Sequence, residues 1–80
     1  MNQDDLIIKS INHALNDEWD EAHKIVQEIN SEVACWIHAT LHKIEGDSSN
    51  SRYWYAKTEH TFEEFNDPVD ELMHIKANIT

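Results

Sequence analysis

The chain has 80 residues, which allows one domain spanning residues 1–80 and excludes a two-lobed nucleotide enzyme or a TIM barrel. Sixteen Asp and Glu against six Lys and Arg leave a formal charge of −10. That argues against binding nucleic acid or an anionic membrane, because both need clustered Lys and Arg. One glycine and one proline leave too few turn residues for an all-β fold.

Helical periodicity runs along nearly the whole chain. Leu6, Ile7, Ile11, Ala14 and Leu15 recur at three- and four-residue steps, and Asn16-Asp17 interrupts them. Asp17 reads as the N-cap of a second helix that buries Trp19, Ala22, Ile25, Val26 and Ile29. Asn30-Ser31 ends it, and Ser31 caps a third helix. That helix is the most apolar and is expected to pack on two sides, through Val33, Ala34, Trp36, Ile37, Leu41 and Ile44. Gly46 stands where a helix end calls for a left-handed residue. Asp47 or Ser48 then caps a fourth helix through Tyr53, Trp54, Tyr55 and Ala56. Residues 61–67 read as a loop or a short turn. Asp67-Pro68 opens a last helix to about Asn78, with Val69, Leu72, Met73 and Ile75 or Lys76 near its seam. The fold class is all-α, five short helices antiparallel to their chain neighbours.

Small residues recur twelve apart, Ser10 with Ala22 and Ala39 with Ser51, and the two pairs superpose at an offset of 29 positions. The offset also lays His13 on His42 and Glu18 on Asp47. Two helical hairpins with an acidic turn and a small residue in each helix resemble the tetratricopeptide repeat. The resemblance implies two such hairpins over residues 4–60 plus a closing helix. The period is shorter than that family's 34 residues, and Lys9, His13, His38 and His42 stand where its larger apolar residues are expected. Leu41-His42-Lys43, Glu45-Gly46-Asp47 and Asn50-Ser51 with Tyr53-Trp54 also resemble a family of small all-helical proteins with no assigned activity.

The nearly neutral middle of the chain holds the chemistry. His38 and His42 lie one turn apart on one helical face, and Glu45 follows three residues later. Two imidazoles and a carboxylate on one face suit zinc or iron. Glu45 could also act as a general base or fix the tautomer of His42. Asn50 and Tyr53 open the next helix and are expected to fold back on this corner. Trp54 packs over it, and Arg52 pairs with an acid, stacks or clamps an anion. Trp19, Trp36 and Trp54 read as core, and His13, His23, His60 and His74 as surface residues, with His23 or His60 the third metal ligand if the fold brings one of them to the corner. The H-E-x-x-H motif is absent, as are a P-loop, a nucleophile elbow and a Cys-x-x-Cys pair.

The single Cys35 forms no internal disulfide, and Met1–Asp5 lacks a basic leader, so a cytoplasmic location is expected. The leading functional expectation is a small acidic interaction module that engages a protein partner or a second copy of itself as a homodimer. Nucleic acid and membrane are not expected partners, and an enzyme is not the leading expectation. The alternative is a ligand or metal site at the His38–His42–Glu45 corner. No cofactor is expected, with zinc the metal that corner would suit. A third reading is an acidic mimic of nucleic acid.

Overall fold

Side chains at the helix starts set the element boundaries. In a computed structural model that describes residues 2–79, Asn2 accepts a hydrogen bond from the Asp5 amide and opens α1 (Gln3–Leu15). The hydroxyl of Ser31 accepts from the Ala34 amide and opens α3 (Glu32–Glu45). The carboxylate of Asp47 accepts from the Asn50 amide and opens α4 (Ser48–Tyr55). Asp67 accepts from the Val69 amide just before α5 (Pro68–Ile79), where proline costs no helical hydrogen bond. Each device satisfies an amide that the first helical turn leaves without a partner. Among the described residues there is no strand, and no helix is long and apolar enough to cross a membrane.

α2 (Trp19–Val26) begins differently from the sequence expectation. Asp17 is not its N-cap: with φ of 61° it is the left-handed residue that closes α1. The Asp17 amide donates to the Ala14 carbonyl at 3.2 Å, and the Glu18 amide donates to the His13 carbonyl at 2.8 Å. The end of α3 repeats this pattern 29 residues on. Gly46, at φ 87°, donates to the Lys43 carbonyl at 3.2 Å, and Asp47 donates to the His42 carbonyl at 3.0 Å. Both are Schellman closures, in which a left-handed residue lets two late carbonyls find donors. Glu18 provides no side-chain cap to α2; its carboxylate instead meets His13 Nδ1 at 2.7 Å. α2 is also shorter than expected, and Ile29 packs on the core from the turn that follows.

The small residues twelve apart meet inside each hairpin. Ser10 Oγ donates to the Ala22 carbonyl at 3.1 Å, and Ser51 Oγ donates to the Ala39 carbonyl at 2.7 Å. All four residues are fully buried. Side chains this small let the paired backbones approach, and each hydroxyl satisfies itself on the facing helix.

α3 touches all four other helices, which is why its buried residues extend around it from Ala34 through Trp36, Ile37 and Ala39 to Leu41. Ile7 and Ile11 of α1, Ala22 and Val26 of α2, Tyr55 of α4, and Leu72 and Ile75 of α5 complete the core. The expected seam of α5 is rotated. Leu72 and Ile75 turn inward, but Val69 and Met73 are 49% and 56% exposed, and the third inward residue is Glu71. Ile44, expected on the apolar face of α3, is largely exposed as well.

Glu71 anchors α5. Its fully buried carboxylate accepts from Trp36 Nε1 at 2.7 Å, Tyr55 Oη at 2.6 Å and Lys43 Nζ at 2.8 Å. Lys43 also donates to the Phe65 carbonyl at 3.1 Å and lies over the rings of Tyr55 and Phe62. One ion pair thus joins α3, α4, α5 and the 56–67 loop, with both charges hydrogen-bonded, the condition under which a buried pair is tolerated. His60, expected at the surface, stacks on Trp36 with centroids 3.5 Å apart and holds Glu64 through Nδ1.

Candidate functional site

Three helices build the site at the face where α2 and α4 meet α3. On α2, Trp19, Ala22, His23 and Val26 follow the three- and four-residue spacing of a single stripe, so the side that buries Ala22 and Val26 also carries His23 inward. On α3, His38 and His42 lie one turn apart, 4% and 6% exposed. On α4, Trp54 lies across from His38.

The three imidazoles converge. His23 Nε2 lies 3.0 Å from His38 Nε2. Ring centroids are 4.6 Å apart for His23 and His38, 5.0 Å for His38 and His42, and 5.6 Å for His23 and His42. One ligand nitrogen from each histidine lies within 4.8 Å of the others. Two indoles bracket the group. Trp19 stacks on His23 at 4.8 Å and meets His42 edge-on, and Trp54 stacks on His38 at 3.9 Å. Trp19 is fixed by its Nε1, which donates to the Leu41 carbonyl at 2.7 Å.

Burial, followed by the neighbouring His23 and His42, pushes the His38 pKa down to about 4. Burial and His42 also lower His23, with Glu45 and Asp20 opposing. Both rings are therefore held in the neutral form that binds metal. His42 is oriented from behind: its Nδ1 lies 2.5 Å from Glu45 Oε2. With Nδ1 engaged, Nε2 is the nitrogen His42 would offer to a metal. A carboxylate behind a histidine ligand fixes its ring and raises its basicity. Ligand nitrogens around a tetrahedral zinc sit about 3.3 Å apart, given bonds of about 2.0–2.1 Å. The His23 and His38 nitrogens stand 3.0 Å apart, close to that value, and a nitrogen of His42 lies within 4.8 Å of a nitrogen of each. Asp47 also lies near His42 and Glu45, but its carboxylate is committed to capping α4.

The sequence-expected corner is partly assembled. His38, His42 and Glu45 come together and Trp54 covers His38. Tyr53 does not fold back on the corner; it is 57% exposed, stands at right angles to Trp54 at 5.3 Å and has the Lys57 ammonium over its ring. Asn50 contributes its backbone amide to the Asp47 cap. Arg52 faces another side, paired with Glu63 at 2.5 Å and stacked on Phe62 at 4.3 Å. The expected metal set of His38, His42 and Glu45 becomes three histidines with Glu45 behind one of them. Of the two histidines that the fold could have brought to the corner, His23 arrives and His60 does not, and Trp19 is the addition. The i,i+4 spacing of Trp19 and His23 puts both on one side of α2, but a helix of two turns shows too narrow a stripe to mark that side as inward. No protein-family model, curated protein or solved structure matches this chain.

Proposed function

We propose that the protein binds a divalent transition metal, zinc by the chemistry of its donors, through His23, His38 and His42. The observation that carries the reading is the convergence of three imidazoles, two of them pushed toward the neutral form, with a carboxylate orienting the third. Imidazole donors suit zinc, copper, nickel and iron, and the absence of a thiolate in the cluster disfavours a closed structural zinc site. Three protein ligands leave a fourth position for water or an exogenous ligand, the pattern of reactive zinc sites. Metal content and zinc-dependent melting test this in the wild type, in His23→Ala and in His38→Ala with His42→Ala. The wild type takes one zinc per chain. At about a hundredfold excess over Kd its melting point rises by about 10–20 °C. Both variants lose that rise. A wild-type melting point that ignores zinc sinks the reading.

A second reading, an interaction module engaging a protein partner or a second copy, is favoured by Val69 and Met73, exposed one turn apart on α5. On this reading the chain associates in solution, and Val69→Lys with Met73→Lys abolishes the association in light scattering. A monodisperse wild-type monomer that captures no defined partner speaks against it. The single half-buried Cys35 fits the cytoplasmic location proposed for either reading.

A further inference from the structure

We propose that the cleft between the C-terminal end of α2 and α4 binds a small aromatic carboxylate. The cleft encloses about 370 Å³, at the lower end of the size that takes small organic ligands. Its far wall is a right-angled aromatic corner: the Tyr53 and Trp54 rings stand at 88° with centroids 5.3 Å apart. Such a corner offers one face and one edge to a planar ring. Val26 and Ile29 supply the apolar floor.

Lys57 gives the corner its charge preference. Its ammonium lies 5.0 Å from the Tyr53 ring centroid and 5.8 Å from that of Trp54. Among the described residues it meets no carboxylate at ion-pair distance, although the chain holds sixteen acidic residues. A cationic ligand is disfavoured because Lys57 already occupies the position over both rings that a cation would seek. A carboxylate is favoured because the Lys57 ammonium makes no ion pair among the described residues and would give it a charge-assisted hydrogen bond. Glu28 also lines the cleft and opposes a second negative group, so the ligand carries one carboxylate, and a hydrogen-bond donor elsewhere on it suits Glu28.

The test uses 4-hydroxyphenylacetate, with 4-hydroxyphenylacetamide and 4-hydroxyphenethylamine as the neutral and cationic counterparts. Each is titrated into the ¹⁵N-labelled chain while amide and indole NMR shifts are followed. The acid is expected to shift Cys35, Tyr53, Trp54 and Lys57 saturably. It should bind about fivefold tighter than the amide, the scale of one partly exposed charge pair. Lys57→Met should bring acid and amide to equal affinity, and Trp54→Ala should weaken both. Absence of saturable shifts at millimolar acid overturns the proposal. So does equal binding of acid and amide by the wild type, or tighter binding of the amine. His38 also lines this cleft and stacks on Trp54, so the charge preference is read at Lys57, which lies outside the imidazole cluster, and the titration is run without metal so that its outcome is distinguishable from that of zinc binding.

Discussion

His23 Nε2 and His38 Nε2 lie 3.0 Å apart, so one ring must donate and the other accept. Two protonated rings cannot share that contact. The folded pKa of His38 is about 4, against 6.5 for an unperturbed histidine. Between those values the unfolded chain binds a proton that the folded chain excludes. The metal-free protein is therefore fully stabilised by this group above about pH 6.5 and loses that contribution as the pH falls toward 4. Urea midpoints across pH 7 to 4 should decline through this window, and His38→Gln should flatten the decline. A flat profile in the wild type contradicts the assignment.

On the metal-binding proposal, Glu45 would act through His42. Its side chain is 39% exposed, so Glu45→Gln should leave the fold intact. Zinc affinity should fall about 10- to 100-fold, as it does when the partner behind a histidine ligand is lost. Calorimetric titration checks this. Unchanged affinity would mean that Glu45 does not orient the ligand.

The two hairpin turns make a paired prediction. Asp17 and Gly46 occupy the same left-handed position 29 residues apart, but only Gly46 adopts it without steric cost. Asp17→Gly should stabilise the chain by about 0.5–1 kcal/mol, and Gly46→Ala should destabilise it by about 1 kcal/mol. A methyl at Gly46 would meet nothing within 4 Å, so the cost there is conformational. Denaturant unfolding reads both, and a stabilising Gly46→Ala would refute the shared closure.

Glu71→Ala removes the acceptor for Trp36, Tyr55 and Lys43 together and leaves a buried ammonium unpaired. The expected cost is about 3–5 kcal/mol, enough to unfold a chain of this size. Glu71→Gln keeps an acceptor and should cost less. The same network gives an alkaline limit. Burial first, then the hydrogen bond to Glu71, raises the Tyr55 pKa above its usual 10. The unfolded phenol ionises before the folded one, so stability is full below about pH 10 and is lost as the pH rises past it. Tyr55→Phe should delay that loss in a pH-dependent melting series.

The legible parts of this chain were the local ones. Ser31, Asp47 and Asp67-Pro68 mark helix starts because a cap acts within three residues of itself. His38, His42 and Glu45 were readable as a group because one helix carries all three. Asp17 was misread because an aspartate before Trp19 looks the same as a cap or as a left-handed closure, and the choice depends on how α1 ends. Glu71 was missed because an acid in a first helical turn ordinarily faces water. Its inward turn depends on donors from α3 and α4 that lie 16 to 35 residues away. The same rotation put Val69 and Met73 outside. His23 joins the site only once α2 folds back on α3, and two turns of helix show too narrow a stripe to announce it.

Cobalt substitution tests the central claim most directly. Co²⁺ titrated into the wild-type chain should give the intense visible absorption of a tetrahedral nitrogen-ligated site, saturating at one equivalent and displaced by zinc. His23→Ala should lose that absorption while keeping the helical circular dichroism of the wild type. If the wild type shows only the weak spectrum of hydrated cobalt, or if His23→Ala retains the full bands, the three histidines do not form a metal site.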